Sequence, residues 1–351
     1  MQQTPSRERG GVCLQPRVSS PWLLFLNRKM WDKSMPRKLI LLCFAIAVAM
    51  TALLFGCARV EDSRGSEGQN REQEQFEIVL EDDLGRQVRI SRKPQRIISL
   101  APGLTETLFA LGLSERIVGV TEYCNYPPEA LEKPKAGSFS EPSIEKAVAL
   151  QPELVVAVPL HEESLFRLEE LGIPVLILEP TSVDDVYRSI ELLGLAAGEE
   201  ERARRLVSEI KSRMDAVSEK LSGVPESERV RVYYEVYADP LMSVGSTSVI
   251  HELVEAAGGK NIFADVKEPY PLVSSEAVVD RNPEVIVHPN YHGTEGFLAK
   301  EIQARPGWGS VAAVAEGRIF SIDPDKVSRP GPRIGEVVEE LAGLFYPALE
   351  N

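Results

Sequence analysis

The side chains that could do chemistry are few. His288-Pro-Asn-Tyr-His292 places two imidazoles in a loop after a β-rich run, and a histidine in such a loop could ligate haem iron or the axial position of a corrinoid. Both also read as ordinary polar loop residues. Their spacing is loose for zinc and no carboxylate–histidine cluster accompanies them, so no metal centre is expected. His161 occupies a parallel loop earlier in the chain. Gly245-Ser-Thr-Ser-Val-Ile stands before a helix and reads either as backbone N–H groups offered to an anion or as a plain helix cap, and Pro102-Gly103-Leu104-Thr105 has the same two readings. Cys124 could be a reactive thiol or a buried structural one. There is no Gly-x-Ser-x-Gly elbow, no phosphate loop with lysine, no His-Glu-x-x-His and no Cys/His arrangement of catalytic type. The inventory points away from an enzyme and towards binding.

Two glutamates form the most ordered pattern. The segment from Ser143 through Glu145, Val148, Pro152 and Glu153 to Val156 aligns with Ser274, Glu276, Val279, Pro283, Glu284 and Val287. The offset is 131 throughout, with six of fourteen positions identical. Each copy reads as a Ser N-cap, an acidic first turn, a short helix, a Pro break and a buried strand. Helix N-termini favour carboxylates by themselves. Two equivalent exposed glutamates on two equivalent lobes would nevertheless make a symmetric pair of negative handles.

The elements that must carry these residues follow from composition. The chain has 351 residues, 43% hydrophobic and 26% charged, which suits ordinary globular material in about two domains. Residues 1–56 carry eight Lys/Arg against two Asp/Glu, leaving −20 on residues 57–351. A body that acidic argues against nucleic acid. Cys13, Cys43 and Cys57 precede it and Cys124 lies within it, so no disulfide framework is expected. Strands are expected at Ile97–Leu100, Leu154–Val158, Val175–Leu178, Val230–Val236, Val285–His288 and Ile319–Ile322, alternating with helices in α/β layers. Phe76–Ile90 alternates as a hairpin. Asp184–Leu221 reads as a long charged helix entered by a shorter one, with an interruption at Gly194–Gly198, and could join two lobes. Its Arg202, Arg204 and Arg205 read as a solvated face. A last helix is expected over Pro332–Ala348.

The N-terminus reads as an address. Residues 39–56 are apolar except for Thr51, follow Arg37 and Lys38, and precede Cys57, as in a secretory signal or a membrane anchor. Leu54-Phe55-Gly56-Cys57 resembles the lipobox of bacterial lipoproteins, which would make Cys57 the diacylated mature N-terminus. Met30 or Met35 would give a better-proportioned start. Residues 58–75 contain no aromatic residue and read as a flexible tether.

Five segments carry a resemblance over about residues 77–350. They are Arg96–Glu106, Val118–Ala130 with Tyr126-Pro127-Pro128, the two glutamate segments, Gly258–Phe263, and Gly331-Pro332-Arg333-Ile334. In this order they are similar to the Fe/cobalamin-type periplasmic substrate-binding proteins of ABC importers, most of all the cobalamin-binding receptors. The resemblance implies an α/β fold of two Rossmann-like lobes, residues 76–183 and 222–351, joined by a long rigid helix within residues 184–221. It implies a monomer that captures a bulky metal chelate between the lobes, has no cofactor of its own, and delivers cargo to a permease dimer with a cytoplasmic ATPase. Glu145 and Glu276 match the family's permease-docking positions. Tyr123, Phe139, Tyr270 and Asp325 match cleft positions. Two of these, Phe139 and Tyr270, replace tryptophans usual in the family, Val158 replaces another aromatic, and Trp308 matches no cleft position. Cobalamin or a related corrinoid is the expected ligand, with haem or a ferric siderophore as alternatives. Basic anchors for an anionic chelate, such as Arg329, are few. An exported enzyme and a ligand-sensing domain are the remaining classes.

Overall fold

The computed structural model of the chain describes residues 76–160, 162–290 and 295–349. The expected signal segment, Cys57, the tether, His161 and His292 lie outside the described residues.

A hairpin of β1 (Ile78–Glu81) and β2 (Gln87–Ile90) opens the body. Asp82 closes its turn by accepting from the backbone N–H groups of Leu84 and Arg86. Two parallel sheets of identical topology follow. The first has the order β4-β3-β5-β6, from Ile117–Val120, Ile97–Ser99, Leu154–Ala157 and Val175–Ile177. The second has the order β10-β7-β11-β12, from Gly259–Asn261, Val230–Tyr234, Val285–Pro289 and Ile319–Ile322. All six expected strands are present. The two unexpected strands of these sheets, β4 and β10, are the matching edge strands; a short hairpin of β8 (Tyr237–Ala238) and β9 (Leu241–Met242) is also unexpected. Each edge strand is short and carries a glycine for steric reasons: a Cβ at Gly119 would stand 2.6 Å from Leu150, and one at Gly259 2.7 Å from Phe345. Gly-Lys-Asn has little β-propensity, and in Ile-Val-Gly-Val the glycine interrupts a β-branched run.

Alternation along the strands builds three cores. In the first sheet Ile97, Leu154, Val156 and Leu176 face one core, and Ile98, Val155, Val175 and Ile177 face an outer one. In the second sheet Val232, Tyr234, Val285 and Val287 join that same first core, while Tyr233 and Ile286 face a separate outer cluster with Phe263 and Trp308. Each sheet is therefore covered on both faces, as parallel sheets must be. One apolar core runs continuously beneath the helices that link the two sheets.

The central helical segment doubles back. Helix α4 (Val183–Ala197) begins with a Ser182–Asp185 capping box and ends at Gly198 in the left-handed conformation; α5 (Glu200–Lys220) then begins. The Tyr187 hydroxyl donates to Met214 Sδ at 2.9 Å, and Gly194 packs on Ala203, so the two helices run antiparallel. Glu199 sits in the turn and pairs with Lys93, Arg116 and Arg202 at 3.1, 2.9 and 3.3 Å. Burial pushes its carboxyl up, but hydrogen bonding and charge from these cations outweigh it and hold the group below the usual range. Arg202 donates to Leu111 O at the start of α5, and Leu221 packs on Gly258 just past its end. A helix of 21 residues spans about 30 Å, enough to tie one lobe to the other. The last helix, α11, occupies Ile334–Phe345 rather than Pro332–Ala348. Arg333 takes the N-cap position instead of a helical one, and Pro347 cannot continue the helix.

Candidate ligand cleft between the two lobes

Helix α1 (Pro102–Ala110) is buried from Gly103 to Leu108 on consecutive positions. A helix enclosed on every side must sit between layers, and α1 lies where the lobes meet. Its one charged residue, Glu106, receives two hydrogen bonds from Arg333, both at 2.7 Å. Arg329 adds a longer contact at 3.4 Å. Burial pushes the Glu106 carboxyl up from its ordinary value against the pull of Arg333 and then Arg329. The Arg333 guanidinium also lies 4.1 Å over the Tyr126 ring. Sequence reasoning singled out the segments holding Glu106 and Arg333 but not their pairing, which spans 227 residues. One available sign was a lone carboxylate in the apolar stretch Pro-Gly-Leu-Thr-Glu-Thr-Leu.

Above this ion pair opens a cleft of about 800 Å³. Tyr123 and Phe139 stand on its first-lobe wall and Tyr270 and Asp325 on the other, so four expected ligand-binding residues converge. Tyr123 is 60% exposed and Tyr270 46%. Such exposed rings leave apolar area for a ligand to cover. Val158 and Leu160 extend the apolar wall from the end of β5. The N-termini of α1 and of α6 (Val249–Ala256) also reach the cleft. At α6 the helix-cap reading is the one observed: Ser248 Oγ accepts from the His251 N–H at 3.1 Å.

Other expected residues go elsewhere. His288 is 3% exposed within β11, with Nδ1 3.3 Å from the Pro289 carbonyl oxygen, and it does not line the cleft. The strand runs on to Pro289, so His288 is a sheet residue on the same face as Ile286 rather than a loop ligand. Cys124 is buried with Sγ 3.1 Å from the hydroxyls of both Thr105 and Thr121, as a structural thiol. Trp308 is fully buried in the outer core of the second lobe. Among the described residues no cluster of His, Cys, Asp or Glu is arranged to hold a metal.

The repeated glutamates sit as the 131-residue offset requires. Ser143 caps α2 (Ile144–Ala149) and Ser274 caps α7 (Ser275–Arg281). Glu145 and Glu276 are exposed in the first turns. Hydrogen bonding from the backbone and from Ser274 holds the Glu276 carboxyl below the usual range. Past each helix Gln151 and Asn282 take the left-handed conformation, with φ of 48° and 43°. Their carbonyl oxygens accept from Arg96 and Arg231 at 3.0 and 3.1 Å.

A family model described as periplasmic binding protein matches residues 97–326. The chain belongs to the periplasmic binding protein family. YvrC of Bacillus subtilis, described as an uncharacterized ABC transporter substrate-binding lipoprotein, is 34% identical over 313 residues, covering 87% of this chain and 96% of that protein. The crystal structure of the vitamin B12-binding protein BtuF of Vibrio cholerae is 29% identical and superimposes with a TM-score of 0.62, covering 74% of this chain and 99% of that one. The heme-binding protein RhuT of Roseiflexus sp. RS-1 is 27% identical, with a TM-score of 0.65 over 73% of this chain and 99% of that one. This periplasmic binding protein is thus the extracytoplasmic substrate-binding component of an ABC importer, with a permease as partner. It binds and does no catalysis.

Proposed function

We propose that the protein is a lipid-anchored receptor that holds cobalamin or a related corrinoid between its lobes and hands it to a permease dimer powered by a cytoplasmic ATPase. Acylation of Cys57 would tether the body to the membrane through residues 58–75. Glu145 and Glu276 would dock on cations of the two permease subunits. Exposed ion pairs are worth about 0–1 kcal/mol each, so they serve orientation and encounter rate in a receptor that must also release its partner.

The observation that carries the ligand is the character of the cleft. Aromatic rings from both lobes line a cleft of about 800 Å³, and Arg329, the one Lys or Arg on the wall among the described residues, is already paired with Asp325. A wide, largely apolar wall with few free charges suits a large chelate whose periphery is neutral amides. An anionic siderophore would ask for unpaired cations. The similarity to BtuF supports the same reading, and the similarity to RhuT makes haem the alternative. Calorimetric titration of the purified full-length protein with cyanocobalamin tests it. Sub-micromolar binding, weakened about tenfold or more by Tyr123→Ala and by Tyr270→Ala, is the expected result. Tight haemin binding with no cyanocobalamin binding would keep the importer role and replace the ligand.

A further inference from the structure

The two terminal nitrogens of Arg329 are surrounded by four acceptors. Its guanidinium meets Asp325 Oδ1 at 2.7 Å, Asn125 Oδ1 at 2.6 Å, the Tyr123 carbonyl oxygen at 3.1 Å and Glu106 Oε1 at 3.4 Å. Asn125, from the first lobe, closes the ring by donating from Nδ2 to Asp325 Oδ2 at 2.7 Å. Counting formal charges, Arg329 and Arg333 are balanced by Glu106 and Asp325. The members differ in access. Both line the cleft, but the Arg329 side chain is 11% exposed and that of Asp325 40%. A ligand in the cleft therefore meets mostly the carboxylate, beside a guanidinium whose charge is already paired. Glu179, also on the wall, adds a second negative charge.

We propose that Asp325 and Asn125 form a charge filter: Asp325 neutralises Arg329 and Asn125 holds the two together, and the pair restricts the cleft to chelates with neutral, hydrogen-bonding peripheries and turns away chelates bearing carboxylates. The proposal rests on the cleft assigned above and deepens it by naming the determinant of ligand charge. The physical basis is that an anion entering a partly desolvated site needs an unpaired cation, and the one cation available is spent. Removing the exposed countercharge leaves the arginine's positive charge unbalanced towards the cleft. Adding a carboxylate beside it does the reverse.

The test uses haemin, whose two propionates make it a dianionic probe, in titrations of the purified full-length protein. Asp325→Asn is expected to raise haemin affinity about tenfold and Asn125→Asp to lower it by a similar factor, with both differences shrinking as salt is raised. A purely structural role for the two residues would not move affinity in opposite directions or make the change salt-dependent. Both changes spare the contacts of the buried Glu106–Arg333 pair, since Arg333 reaches Asp325 only at its backbone carbonyl oxygen, at 2.9 Å, and thermal melting checks that each variant is folded. Equal haemin affinity in the wild type and both variants, or a change of the same sign in both, would overturn the filter. Cyanocobalamin binding to the wild type is measured alongside. Its absence would remove the corrinoid reading, while the order of the three haemin affinities would still decide the charge proposal.

Discussion

The two copies of the repeat diverge where they leave the cleft. In each, a cleft aromatic precedes an exposed glutamate by six positions: Phe139 to Glu145 and Tyr270 to Glu276. The first connection folds back on itself. Ser143 N–H donates to Ala136 O at 2.8 Å and Ser138 N–H to Glu141 O at 3.1 Å, a turn closed on its own backbone. The second is stitched to its lobe. Val273 N–H donates to Leu241 O and Ser243 N–H to Pro271 O, both at 3.0 Å. Helix α7 is then pinned from below, where Trp308 Nε1 donates to Ser275 Oγ at 2.6 Å. Trp308 packs edge-on against Tyr233 at 5.9 Å and under Arg305 at 4.6 Å, and Arg305 pairs with the buried Glu235. The counterpart of Ser275 is Ile144, an apolar residue packed against the outer core. One frame has therefore been used twice, with a local turn at one glutamate and a core-anchored link at the other.

Reversing both glutamates should have the largest effect on the proposed docking. Glu145→Arg with Glu276→Arg is expected to cut ligand uptake more than about tenfold, since each lost pair is replaced by repulsion, while cleft affinity in titration stays as in the wild type. Unchanged uptake would refute the docking assignment. Stability should then separate the lobes. Trp308→Ala is expected to cost about 3–5 kcal/mol and Trp308→Phe about 1 kcal/mol, for the lost hydrogen bond. Ile144→Ala, at a half-buried site, should cost less than Trp308→Ala in denaturant melts. The smallest effect distinguishes the left-handed residues after each helix. Gln151→Gly should stabilise by about 0.5–1 kcal/mol by relieving a strained conformation. Asn282→Gly should not, because Asn282 Oδ1 accepts from the Ala312 N–H at 2.8 Å. Equal shifts in the two variants would mean that the copies are not specialised at this point.

The periodic features of the fold were legible in the sequence. Strands buried on both faces announce themselves by consecutive apolar residues, and the offset of 131 placed both Ser caps and both glutamates. The edge strands were less legible: Gly259-Lys260-Asn261 carries none of the β-branched residues that signal a strand, and in Ile117–Val120 the tightly packed Gly119 interrupts the apolar run. His288 stands both at the end of the expected strand Val285–His288 and at the start of the expected loop; it belongs to the strand, which runs on to Pro289 alongside β12. Asn125 and the Glu106–Arg333 pair were beyond reach for a different reason. Their partners lie 200 residues or more away, and polar residues carry no periodicity by which a distant partner could be recognised.

The central claim is that one ligand is held by both lobes at once. Amide hydrogen exchange of the full-length protein with and without cyanocobalamin measures this directly. Capture between the lobes predicts slowed exchange on both walls together, around Tyr123 and Phe139 in the first lobe and around Tyr270 and Thr247, which also lines the cleft, in the second. Protection confined to one lobe, or none on either wall, would contradict it.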